Sequence, residues 1–112
     1  MTQLIQHSGW YMPARETHFQ EYFAKQKHGE YQKRQRDNAI VNCREHRVVV
    51  DVGANIGTWA KPFAEVFDTV HAFEPQNDCR EAFEENLEGF GNVKLYDVAL
   101  SNHSGTADFY VT

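Results

Sequence analysis

Asp51, Gly53, Asn55, Gly57 and Glu74 are the residues whose types and spacing speak most directly to chemistry. An apolar run, Arg47-Val48-Val49-Val50-Asp51-Val52, leads into Gly53-Ala54-Asn55-Ile56-Gly57, and Glu74 closes a second run, Thr69-Val70-His71-Ala72-Phe73. Gly53 permits a sharp turn and leaves room for a ligand against the backbone. Gly57 permits a close approach where a helix is expected to begin, and the first N–H groups of a helix lack partners and carry positive dipole character. Glu74 stands 21 residues after Gly53. A carboxylate there can accept hydrogen bonds from both hydroxyls of a ribose.

The details of the turn select among nucleotides. The dinucleotide fingerprint Gly-x-Gly-x-x-Gly is absent, because the spacing is Gly53-x-Asn55-x-Gly57. Asp51 also precedes the first glycine by two residues. An acid in that place repels a pyrophosphate but complements S-adenosylmethionine, which carries an ammonium and a sulfonium and no phosphate. The residues therefore favour S-adenosylmethionine over NAD. Against the plainer alternative, in which Asp51 and Glu74 merely cap turns of a non-binding domain, stands the sequence Gly-Ala-Asn-Ile-Gly, which has little packing rationale of its own.

Those residues need elements to position them. From residue 47 onward the chain alternates strand and helix patterns. The β-branched run over 47–52 predicts a strand buried on both faces. A helix is expected over 58–67, a second strand over 69–73, and a helix opened by a capping box of Asp78 and Glu81, with Cys79, Ala82, Phe83 and Leu87 facing inward. Gly89 and Gly91 end it, and Val93–Tyr96 is the third strand. A polar turn over 101–105 precedes a short strand expected over 107–111. The order β-α-β-α-β is one half of a doubly wound, Rossmann-like α/β sheet, here incomplete. Lys61-Pro62 falls early in the first helix, so that helix is expected to kink or begin late.

Residues 1–46 have another texture and predict a mainly helical extension. Gly9-Trp10-Tyr11-Met12-Pro13 is read as irregular, with Pro13 marking a boundary. Thr17 is expected to cap a helix carrying Phe19, Tyr22 and Phe23 on one face, and a break near His28-Gly29 precedes a second helix over 30–44 with Ala39, Ile40 and Cys43 as its apolar stripe. The division is thus a helical extension, 1–46, and a cofactor-binding half-domain, 47–112.

Composition bounds the rest. The chain has 112 residues, 41% hydrophobic, which suits one globular core. No apolar run approaches the ~18 residues that a membrane span needs, and the N-terminus lacks the pattern of a signal peptide. Charge is uneven: residues 1–47 hold eight Lys/Arg and five acids, whereas residues 48–112 hold three Lys/Arg and eleven acids. So acidic a second half argues against nucleic acid as its partner. Lys33-Arg34-Gln35-Arg36 reads as a solvated helix face in preference to a phosphate contact. Cys43 and Cys79 form no Cys-x-x-Cys pair and are expected as free thiols in a cytoplasmic setting.

Three ordered motifs, Val-Asp-Val-Gly-Ala-Asn-Ile-Gly (50–57), Ala-Phe-Glu-Pro (72–75) and Val-Ala-Leu-Ser (98–101) with a Gly-containing turn after it, resemble the FkbM-like class I methyltransferases. The resemblance covers residues 47–112. It implies that Asp51, Gly53, Ala54, Asn55 and Gly57 line the methionine portion of S-adenosylmethionine, that Glu74 and the adjoining Pro75 hold the ribose, and that Asp97 and Val98 flank the adenine. It implies an acceptor hydroxyl on a sugar or other small molecule. Sheets of this class usually have seven strands, the later ones closing the acceptor pocket, and the sequence ends at Thr112. Three accounts follow: the N-terminal part of a longer methyltransferase; a cofactor-binding half-module that pairs with another chain, or with its own copy, through exposed strand edges; and a module with no ligand. No residue is assigned as a general base. His71 lies within a strand pattern and reads as packed, and the other histidines show no metal-ligand spacing.

Overall fold

The computed structural model describes residues 2–26, 29–108 and 110. The chain opens on an antiparallel hairpin of β1 (Leu4–His7) and β2 (Trp10–Pro13), in register from Leu4 opposite Pro13 to His7 opposite Trp10. Ser8 and Gly9 form its two-residue turn, both with positive φ, as a tight hairpin with right-twisted strands requires. This corrects the expectation of an irregular lead-in to a mainly helical extension. Trp10, Met12 and Pro13 are buried. Pro13 ends β2 and does not simply mark a boundary before a helix.

Two helices follow, α1 (His18–Ala24) and α2 (Lys33–Val41). Phe19 and Phe23 of α1 are buried, as their spacing predicts, but Thr17 makes no side-chain cap. Glu16 takes that role, its Oε1 accepting from the His18 N–H at 2.5 Å and the Phe19 N–H at 3.3 Å. α2 is shorter than expected, and the stripe of Ala39, Ile40 and Cys43 is not its buried face. Ala39 and Cys43 are exposed and Ile40 half-buried. Its buried residue is Arg36, which donates to the Tyr31 carbonyl at 3.3 Å and to Glu30 at 3.4 Å. Lys33 pairs with Asp37 at 2.5 Å. Two of the three cations of the basic run thus serve partners within the chain.

The second half is a parallel three-stranded sheet in the order β3 (Val48–Val52), β4 (Thr69–Phe73), β5 (Val93–Tyr96). The pairs run from Val48 opposite Thr69 to Val52 opposite Phe73, and from Val70 opposite Val93 to Phe73 opposite Tyr96. The crossovers are α3 (Ala60–Val66) and α4 (Asn77–Asn86). Phe63 and Phe67 from the first crossover, and Phe83 and Leu87 from the second, meet Val70 and Ala72 in one core, so both helices cover the same face of β4. The other face is open. Val48, Val50 and Val52 are more than half exposed, which corrects the expectation that β3 is buried on both sides. A run of five near-continuous apolar residues signals a sheet dressed on two faces; among the described residues only one is dressed.

α3 begins at Ala60, two residues later than expected. Pro62 then sits in the first turn, where its missing N–H has no intrahelical partner to lose. The capping box is absent: α4 starts after Gln76 without a side-chain cap. Arg15 explains this, its guanidinium binding both carboxylate oxygens of Asp78 at 2.5 and 2.9 Å. Residues 107, 108 and 110 are not in a strand, and Phe109, Val111 and Thr112 of the expected last strand lie outside the described residues.

The hairpin and α1 pack against the second half. A second core joins Trp10, Met12, Phe19 and Phe23 to Ile56 of the glycine turn and Ala82 of α4. Asn86 seals the junction. Its Oδ1 accepts from the Tyr11 N–H at 2.7 Å, and its Nδ2 donates to the Tyr11 carbonyl at 2.9 Å and the Ile56 carbonyl at 2.7 Å. Both cysteines are unpaired, Cys43 exposed and Cys79 buried. No helix among the described residues is long and apolar enough to cross a membrane.

Candidate cofactor site

The glycine turn joins the C-terminal end of β3 to α3, on the side of a parallel sheet where ligands of such folds bind. Phe73 at the end of β4 anchors it, its carbonyl accepting from the N–H groups of Gly53 at 2.9 Å and Ala54 at 3.0 Å. Gly53 has φ +74° and Asn55 φ +53°, and a Cβ at Gly53 would meet nothing within 4 Å. The glycine is therefore needed for its dihedral angle, and the space beside it is open. Gly57 differs. Its φ is +94°, and a Cβ there would lie 2.4 Å from Leu87 Cδ1 and 3.1 Å from Phe83 Cδ2. It lets the turn close onto α4, which is the close approach its position predicts.

Glu74 is buried, 4% exposed, directly behind this turn. Its Oε1 accepts from the Asn55 N–H at 2.8 Å and its Oε2 from the Gln76 N–H at 2.9 Å. One lone pair on each oxygen is thereby engaged, and the carboxylate locks the two turns together. Arg80 braces the same corner by donating to the carbonyls of Glu74 at 2.9 Å and Pro75 at 2.6 Å. The Glu74 N–H donates to the Tyr96 carbonyl at 3.0 Å, so Asp97 and Val98 follow at the same end of the sheet, both exposed.

Asp51 carries the clearest electrostatic signal. Burial raises its carboxyl to about 6, with the charge of Glu74 adding to the effect. Its Oδ2 is buried and finds no hydrogen-bond partner among the described residues, and the same holds for Oδ1 of Asn55. Two acceptors without donors beside a glycine turn are costly unless a ligand supplies the donors.

A cleft of about 650 Å³ opens on this turn. Asp51, Gly53, Ala54 and Asn55 line one side of it, and His18, Tyr31 and Gln32 of the N-terminal extension line another. Gly57, Glu74, Pro75, Asp97 and Val98 do not line it. Gly57 and Glu74 shape the turn from behind, while the other three stand at the neighbouring strand ends. Trp59 holds the extension in place, its indole N–H donating to Gln32 Oε1 at 2.9 Å, and His18 Nε2 lies 2.7 Å from the Tyr31 hydroxyl. No motif announces these contacts, which join residues 27 and 13 positions apart. A broader hollow of about 980 Å³ beside Arg44, Glu45, Arg47 and Val48 adjoins the opposite end of β3. Among the described residues no three His, Cys, Asp or Glu side chains converge as a metal set.

The fold is thus a Rossmann-like α/β arrangement with its crevice at the carboxyl ends of the strands. It superposes on Trm5b from Pyrococcus abyssi with a TM-score of 0.54 at 17% identity, covering 86% of this chain and 28% of that one. It superposes on the YcgJ protein from Bacillus subtilis with a TM-score of 0.50 at 24% identity, covering 58% and 30%. A S-adenosylmethionine-dependent methyltransferase from Leishmania major gives a TM-score of 0.49 at 22% identity, covering 61% and 32%. The chain spans about a third of the length of these structures or less. At such identities the likeness to the first two is one of fold. No protein-family model matches the sequence, and no curated protein matches it.

Proposed function

We infer that the chain is the cofactor-holding part of an S-adenosylmethionine-dependent methyltransferase of the FkbM-like type, acting on a hydroxyl of a sugar or other small molecule. The observation that carries the cofactor reading is the pair of buried acceptors without donors, Asp51 Oδ2 and Asn55 Oδ1, beside the open Gly53. An ammonium satisfies both acceptors and favours the ionised form of Asp51. A pyrophosphate satisfies neither, so NAD fits poorly. The bound cofactor would supply an electrophilic methyl group on a sulfonium. This chain's residues supply position: Asp51 and Asn55 would fix the ammonium, Gly53 leaves the backbone open, and Glu74 holds the turn from behind, with one lone pair left on each oxygen for the ribose. The finer assignment to the FkbM-like type and to a hydroxyl acceptor rests on the three sequence motifs. Two free thiols suit a cytoplasmic setting.

A second reading is favoured by one observation. β3 has no strand on its outer edge among the described residues, and Val48, Val50 and Val52 leave its open face apolar. A half-module that holds cofactor and completes its sheet against another chain would use that edge. Calorimetric titration with S-adenosylhomocysteine, with NAD as control, tests the cofactor reading common to both. Saturable binding of the first and none of the second is expected. Well-folded protein that binds neither, or NAD alone, overturns it.

A further inference from the structure

We propose that the N-terminal extension supplies the carboxylate subsite of the cleft, Tyr31 and Gln32 binding the carboxylate of the cofactor's amino-acid tail whose ammonium Asp51 and Asn55 hold. This rests on the cofactor reading above. The cleft is chemically polarised. Its strand side offers acceptors, Asp51 Oδ2 and Asn55 Oδ1, both buried and without donors. The lining residues from the extension offer donors. The Trp59 indole nitrogen can only donate, so its 2.9 Å bond to the Gln32 side chain fixes the amide with Oε1 toward Trp59 and leaves the Nε2 hydrogens available. The Tyr31 hydroxyl, 2.7 Å from His18 Nε2, keeps its own hydrogen available to donate when that nitrogen carries one.

The backbone adds to the same polarity. Gln32 adopts φ +51°, an uncommon conformation for a residue with a side chain, at the position that begins the nine-residue helix α2. That helix has no side-chain cap and no acid in its first turn, and its first two residues are Lys33 and Arg34. Its start is the electropositive end of a helix beside the cleft, suited to an anion. An amino-acid tail is a zwitterion with its two charges one carbon apart, and a cleft lined by both acceptors and donors is its complement. On this assignment Tyr31 and Gln32 make the extension part of the binding site and not an appendage to it.

The test compares S-adenosylhomocysteine with the same thioether carrying an aminopropyl tail, which keeps the ammonium and removes the carboxylate. Gln32→Glu retains an acceptor for Trp59 and replaces the donating amide nitrogen by a carboxylate oxygen. Tyr31→Phe removes only the hydroxyl. Titration calorimetry of folded protein should show Gln32→Glu weakening S-adenosylhomocysteine by more than about tenfold and Tyr31→Phe by about threefold to tenfold. Neither variant should weaken the aminopropyl thioether, and Gln32→Glu, with a carboxylate near its ammonium, should tighten it. Equal weakening of both ligands, or no weakening of either, overturns the subsite while leaving the cofactor reading intact. Failure of the unsubstituted chain to bind S-adenosylhomocysteine overturns both.

Discussion

At the scale of single residues, Asp51 links function to stability. Its carboxyl, raised to about 6, holds a proton more tightly in the folded chain than in the unfolded one, where a value of about 3.9 is usual. Stability therefore falls as pH rises from about 4 through about 6, and the full cost is present above that window. Asp51→Asn removes the charge. With part of the effect screened by solvent, thermal melts at pH 7 should show the variant more stable by about 1 kcal/mol. Its affinity for S-adenosylhomocysteine should fall about tenfold, because a charge-assisted contact becomes a neutral one. In the unsubstituted chain that affinity should weaken as pH drops through about 6, since the ammonium loses its ionised partner. A variant less stable at pH 7 would show that Asp51 serves the fold and not a ligand.

The two glycines of the turn divide by the same kind of argument. Gly57→Ala places a Cβ against Leu87 and Phe83 as well as at positive φ, and should cost about 2–4 kcal/mol in urea unfolding. Gly53→Ala meets only the dihedral penalty, about 1–2 kcal/mol. Equal costs would contradict the distinction between a glycine kept for packing and one kept for its angle.

At the scale of elements, Asn86 is the joint between the extension and the sheet. Asn86→Ala leaves the Tyr11 N–H and carbonyl and the Ile56 carbonyl without their partners and should destabilise the chain by about 2–4 kcal/mol. Hydrogen exchange at the Tyr11 amide should quicken with it; unchanged protection there would show that the hairpin is held by its apolar contacts alone. This joint also marks how far the sequence was legible. β3, the glycine turn, β4, α4 and β5 each declare themselves within a dozen residues, by β-branched runs, glycine spacing and helical periodicity. The hairpin had a local signal, Ser8-Gly9 between two apolar runs, which the nearby Pro13 masked. The caps failed for a different reason. Arg15 reaches Asp78 across 63 residues and Asn86 reaches Tyr11 across 75, and no local pattern encodes a partner supplied by another element. The same holds for Tyr31 and Gln32 at the cleft, whereas Asp51, Gly53, Ala54 and Asn55 were legible because the turn that presents them is local.

At the scale of the whole molecule, charge and exposed apolar surface tell one story about partners. The acidic second half and the cleft acceptors suit a cationic small molecule more than nucleic acid. The open valine face of β3, and its outer edge, which no strand among the described residues pairs, suit a protein surface. If that face pairs with another copy, sedimentation velocity should show concentration-dependent association that Val50→Lys abolishes; a monomer at every concentration would remove self-pairing from consideration. On the proposed reading, Asp51 to Asn55 hold S-adenosylmethionine in the cleft. Amide chemical shifts followed during titration with S-adenosylhomocysteine test it most directly. Saturable shifts centred on Gly53, Ala54 and Asn55, reaching Gln32 across the cleft, are predicted. Shifts confined to other surfaces, or none in a folded chain, would contradict the account.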